Sequence, residues 1–99
     1  MTTKQQLHQE LEQLAPLSLA GSWDNVGMLI ETAPLDATVS GVFLTIDLSV
    51  SVLEEALAAD ANFIITYHPI LFGGVKRLTT TRHADSVVLK AIENRISIY

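Results

Sequence analysis

The sequence contains no cysteine. That single absence excludes disulfides, zinc knuckles, iron–sulfur ligation and thiol nucleophiles, and it fits a reducing compartment. No apolar run approaches membrane-spanning length. The opening stretch MTTKQQLHQELEQL lacks the apolar centre of a signal peptide. A cytoplasmic protein with no membrane segment is therefore expected. Positive charge is scarce early on: nine of the 11 acidic residues precede Phe63, against Lys4 alone. The net charge of −5 argues against direct nucleic-acid binding, which needs a basic surface to displace counterions from phosphate. GxSxG, GxGxxG and GxxxxGK[ST] are all missing.

What the chain has in quantity is apolar side chains, 48% of its 99 residues, with a mean hydropathy of +0.33. A chain this long forms one domain and buries roughly 60–65% of its unfolded surface. Some of the apolar excess is expected to be covered by a partner or by further sequence.

The pattern of those side chains alternates between strand and helix. Leu7, Leu11 and Leu14 stand at helical spacing among polar residues, with Thr2 or Thr3 as cap and Pro16 as stop, predicting a helix over about residues 3–14. SWDNVGMLIE supplies turn residues and then a short strand in VGMLIE. GVFLTID, residues 41–47, reads as a strand covered on both faces. SVSVLEEALAADA follows with an apolar helical stripe and a capping-box spacing between Ser51 and Glu54. NFIITY is a second buried strand, HADSVVLKAIENR a third helix, and ISIY opens a third strand. Strands alternating with helices predict an α/β fold of three layers, a mostly parallel sheet with helices on both faces. The third strand stops at its fourth residue, so the chain is expected to be a fragment.

In parallel sheets, ligands bind outside the carboxyl ends of the strands. Asp47 ends one strand; Tyr67 and His68 end the next. A crossover of this length makes the two strands near neighbours, so Asp47 and His68 should share a rim, roughly 5–10 Å apart. Pro69 holds His68 in an extended conformation and fixes the direction of its ring. If strand alternation persists, Tyr67 points the other way. His68 is the candidate ligand or general base; the bland alternative is a strand-end histidine bonded to a loop carbonyl. Asp47 is a rim carboxylate or, equally, an acid bonded to the backbone N–H groups of the helix that follows it. His8 and His83 read as surface residues. Trp23, Asp24 and Asn25 form either a loop whose indole plugs the domain or the wall of a pocket. Gly73 and Gly74, followed by Lys76 and Arg77, could cradle an anion, though a flexible basic loop explains them as well.

SWDNVGMLIE, FLTIDLS, IITYHPILFGGVKRL and the terminal AIENRISIY resemble, in order and spacing, segments of the Nif-three-like family, which includes GTP cyclohydrolase I type 2 homologues. The resemblance runs from Leu14 to the end. It implies that residues 1–99 are the N-terminal α/β half-domain of a longer, two-lobed protein. It also implies a ring-shaped homo-oligomer, two divalent metal ions per subunit (zinc, manganese or iron), and a cyclohydrolase-like, metal-dependent hydrolase. His68 falls on a metal-ligand position. Tyr67 stands where many bacterial members have a second histidine, a departure that supplies a phenol with a pKa near 10 as the poorer ligand. Asp47 is then a further ligand or a support behind His68. The remaining ligands belong to family segments beyond Tyr99, so these 99 residues carry an incomplete metal site and no catalysis. The alternative function is a regulatory module that binds protein partners.

Overall fold

The computed structural model describes residues 2–34, 36–71 and 75–99. Helix α1, Lys4–Leu14, starts at a capping box: Thr3 Oγ1 accepts from the Gln6 N–H, and the Gln6 side chain accepts from the Thr3 N–H. A short 3-10 turn, Leu17–Leu19, follows Pro16. Strand β1 is Val42–Thr45, helix α2 Val50–Ala58, strand β2 Phe63–Thr66, helix α3 His83–Glu93 and strand β3 Ser97–Ile98. The strands are parallel, in the order β1-β2-β3, with Thr45 beside Thr66 and Ile64 beside Ile98. The architecture is the α/β arrangement expected from the sequence.

Three local expectations are corrected. The strand read in VGMLIE is reduced to one antiparallel bridge, Ile30 with Ile98. The Leu29 and Ile30 N–H groups both donate to the Ile98 carbonyl, so the segment tacks onto the edge of β3 without extending along it. Helix α2 is capped by Ser49, which accepts from the Val52 N–H, and starts two residues earlier than the Ser51–Glu54 spacing suggested. β1 is not covered on both faces: Val42 and Leu44 are exposed, Leu44 by 70%, while Phe43 faces inward.

The last difference follows from topology. The strand order advances in one direction, so two right-handed crossovers place α2 and α3 on the same face. There Leu53 and Ala56 of α2 meet Val87, Val88 and Ala91 of α3 over Ile64 and Ile98, all buried. A Lys90–Glu54 ion pair at 2.6 Å links the two helices. Only α1 is left for the opposite face, where His8 packs edge-on against Tyr99 (ring centroids 5.7 Å) and Tyr99 stacks on Phe63. His8 is thus half-buried, not a surface residue. α1 covers the β3 side of that face and leaves β1 bare. Lys4 is buried at the start of α1, its ammonium donating to the Ala33 carbonyl and lying 3.9 Å from Glu31.

Both crossover helices end in a Schellman motif. In α2 the Ala61 N–H reaches the Ala56 carbonyl and the Asp60 N–H reaches Leu57; in α3 Ile96 reaches Ala91 and Arg95 reaches Ile92. The left-handed position is held by Asp60 (φ 58°) and Arg95 (φ 56°), where glycine would be free of strain. None of the helices is long and apolar enough to cross a membrane among the described residues.

Candidate functional site

Two adjacent strands end in the same way. Thr45 Oγ1 donates to the Asp47 carbonyl at 2.8 Å, and Thr66 Oγ1 donates to the His68 carbonyl at 2.9 Å. Each threonine thereby turns the chain two residues beyond the strand. Main-chain pairing continues past the strand ends, with Tyr67 N–H to Thr45 and His68 N–H to Ile46, both at 3.0 Å. Because Thr45 and Thr66 are in register, the two turned residues come side by side. His68 Nδ1 lies 2.7 Å from Asp47 Oδ1. The shared rim expected from the sequence is therefore a direct hydrogen bond. It also decides between the two readings of Asp47: its carboxylate faces His68, while Ser49 caps α2.

The pair is open to solvent, the His68 side chain by 59% and Asp47 by 78%. With Nδ1 engaged, Nε2 is the nitrogen of His68 left to meet a ligand. Tyr67 does not point away from His68. Their rings meet edge-on with centroids 5.1 Å apart, because β2 ends at Thr66 and strand alternation no longer governs residues 67 and 68. Tyr67 is 80% exposed.

On the α1 side of the strand tips lies a cleft of about 510 Å³. Its walls include Leu14 and Leu17 from the end of α1 and the turn after it, Ile65 and Tyr67 from β2 and its tip, and Tyr99 after β3. The segment 24–27 closes one side: Asp24 and Asn25 line the cleft, the Asn25 N–H donates to Asp24 Oδ1, and the Asn25 side-chain amide donates to the Leu71 carbonyl. That last bond ties the loop to the chain just past Pro69. Gly27 sits at φ 94°, with Leu17 only 3.2 Å from where a Cβ would be. Trp23 neither plugs the domain nor lines the cleft. Its indole folds over Gly21 and stays 76% exposed.

Sequence reasoning passed over two residues here. Tyr99 Oη and Glu12 Oε2 are buried without a hydrogen-bond partner among the described residues. Burial, and secondarily the charge of Glu12, push the Tyr99 phenol above its ordinary pKa of 10.0. The acid and the histidine at the strand ends were the readable signal for the rim; the threonines that turn the chain there, two residues before each, were not read, and no pattern marked Glu12. Gly73 and Gly74, the core of the anion-loop reading, lie outside the described residues. No group of three or more His, Cys, Asp or Glu side chains suited to a metal is found among the described residues.

The family model for Duf34/NIF3 (NGG1p interacting factor 3) matches residues 2–99. Among curated proteins, the chain is 47% identical over 89 residues to NIF3-like protein 1 of Bos taurus, covering 90% of this chain and 23% of that protein. It is 38% identical over 93 residues to the GTP cyclohydrolase 1 type 2 homolog of Staphylococcus epidermidis, covering 94% of this chain and 25% of that one. The crystal structure of Staphylococcus aureus protein SA1388 superposes with a TM-score of 0.89 at 34% identity, over 98% of this chain and 27% of that chain. The chain thus spans about a quarter of the length of these relatives.

Proposed function

The chain belongs to the Duf34/NIF3 family, and from that premise we propose that it contributes the N-terminal part of a divalent-metal site to a longer, hydrolase-type protein. The observation that carries the reading is the His68–Asp47 hydrogen bond at 2.7 Å. A ligating histidine characteristically gives its other ring N–H to a carboxylate, which fixes the tautomer and raises the basicity of the ligating nitrogen. Asp47 stands in that supporting place, and Nε2 of His68 would hold the metal. Tyr67, in contact with the His68 ring, is the neighbour that would border the ion.

A metal takes three or four protein ligands in the simplest sites. The described residues offer His68 with Asp47 and no larger cluster. The donor set therefore fits one arm of a site, with the others supplied from outside these residues. When bound, a pair of divalent ions would polarise a substrate oxygen and generate hydroxide near neutral pH. This chain's share is narrower: Asp47 holds a proton on Nδ1 of His68, and the threonine-anchored turns keep both side chains at the rim. Zinc, manganese and iron suit an imidazole. A ring-shaped homo-oligomer of the longer protein, acting on a nucleotide-like substrate as the name GTP cyclohydrolase 1 type 2 homolog suggests for that relative, completes the proposal.

The experiment is metal analysis of the longer protein. About two equivalents per subunit, lost in His68→Ala, are expected for a two-ion site; full metal retention in that variant would overturn the reading. A second function is favoured by a separate observation, the bare apolar face of β1 and the residue after it, where Leu44 is 70% and Ile46 65% exposed. That face suits a protein partner. Metal-free protein that still binds such a partner, and loses it in Leu44→Lys, would favour an interaction module over the enzyme.

A further inference from the structure

The two threonines behind the rim stand in register but are not equivalent. Thr45 is on the edge strand β1, whose strand partner among the described residues is β2 alone. Its hydroxyl donates to one group, the Asp47 carbonyl, and that contact is exposed. Water replaces such a partner at little cost. Thr66 is on the central strand and only 9% exposed. Its amide donates to the Tyr99 carbonyl at 2.9 Å, which ties it to the far side of the sheet. Its hydroxyl lies 2.9 Å from the His68 carbonyl and 3.2 Å from the Ile46 carbonyl. One O–H proton is therefore shared between the turn that ends β2 and the turn that ends β1. Apart from the His68–Asp47 contact itself, this is the side-chain bond that joins the two turns among the described residues. Threonine is stiff about χ1, so the hydroxyl is held against both carbonyls.

We propose that Thr66 is the positioning residue of the rim: its shared hydroxyl sets the separation of the two turns and thereby the 2.7 Å contact between His68 Nδ1 and Asp47 Oδ1. The consequence for metal rests on the reading given under Proposed function, because a ligating histidine depends on the carboxylate behind it. Without the hydroxyl, the His68 carbonyl loses its donor and the β2 turn is free to shift against the β1 turn. The imidazole then loses its alignment with Asp47, although neither member of the pair has changed. Thr45 holds its own turn only, so its loss leaves the link between the turns in place.

The test compares Thr66→Val, a strand-forming replacement of the same shape that removes only the hydroxyl, with Thr66→Ser, which keeps it, and with Thr45→Val. In the metal-free chain, at a pH where the imidazole is neutral, long-range proton–nitrogen spectra read which nitrogen of His68 carries the proton. The share on Nδ1 should fall in Thr66→Val, recover in Thr66→Ser and stay nearly unchanged in Thr45→Val. Zinc titration of the longer protein should show binding weakened about 10–100-fold in Thr66→Val, the scale of losing a histidine's support, close to unsubstituted in Thr66→Ser and far less affected in Thr45→Val. In an Asp47→Asn background, Thr66→Val should add little further loss, since both changes act on one bond. An unmoved tautomer or unchanged zinc affinity in Thr66→Val, an equal loss in Thr45→Val, no rescue by serine, or a full further loss in the Asp47→Asn background would each overturn the proposal. Unsubstituted protein that takes up no zinc while the tautomer still follows Thr66 would sink the metal reading and support the positioning role.

Discussion

At the scale of single residues, the site is made by two threonines as much as by the side chains they present. Thr45 and Thr66 each hold the carbonyl two residues on, and the register between them turns a sequence separation of 21 into a 2.7 Å contact. Asp47→Asn should therefore weaken metal binding by about 10–100-fold in the longer protein, the usual effect of removing a histidine's supporting carboxylate. His68→Ala should abolish the site; isothermal titration of both variants ranks them. Tyr99 gives a pH prediction. Its pKa is raised on folding, so the folded state holds the phenolic proton more tightly than the unfolded chain. The stability this contributes is fully present below pH about 10 and is lost as pH rises through the folded pKa. Thermal unfolding followed from pH 9 to pH 11.5 should show a decline that Tyr99→Phe flattens. At this scale the sequence was partly legible. The proline after His68 and the acid after the first strand marked the rim. The mutual orientation of Tyr67 and His68 could not be read, because it depends on where β2 stops, one residue earlier than the apolar run suggests.

Among elements, the helix ends carry the clearest consequences. Arg95 occupies a left-handed position that costs a side-chain-bearing residue roughly 1–2 kcal/mol and glycine almost nothing. Arg95→Gly should raise stability by about 0.5–1 kcal/mol after the larger unfolded-state entropy of glycine is deducted. Asp60→Gly should gain less, since aspartate tolerates that conformation better. Urea denaturation of the two variants measures the difference. In the core, Leu53 is fully buried between α2 and α3, and Leu53→Ala should cost about 2–5 kcal/mol. The element types were legible because the sequence period changes between helical and strand spacing at each boundary. The cap of α2 was misassigned because Ser49 and Ser51 both suit the position, and only the backbone turn after Asp47 selects Ser49. The strand read in VGMLIE failed because bridging the edge of β3 at one residue leaves the rest of the segment free to build the cleft wall.

For the molecule as a whole, strand order governs what is covered. Both crossover helices share one face, α1 reaches only part of the other, and β1 keeps an apolar surface toward solvent. Composition announced that surface through its apolar excess, but an all-apolar run cannot tell which strand is at the edge. The run GVFLTID looks the same in the middle of a sheet as at its margin. Leu44→Lys and Ile46→Lys should accordingly leave the unfolding midpoint nearly unchanged while reducing self-association, read by sedimentation velocity. The site follows the same logic. Its rim was legible because parallel strands bring their carboxyl ends together, whereas the cleft, with Tyr99 on its wall, depends on the packing of α1, for which the sequence holds no local signal.

The metal reading requires that Asp47 engage Nδ1 of His68 and leave Nε2 to meet the ion. Long-range proton–nitrogen spectra of His68, recorded through a zinc titration, test it directly. A proton on Nδ1 in the starting state and a zinc-induced shift at Nε2 are expected; a proton on Nε2, or a zinc response at Nδ1 with Asp47 displaced, would overturn that assignment.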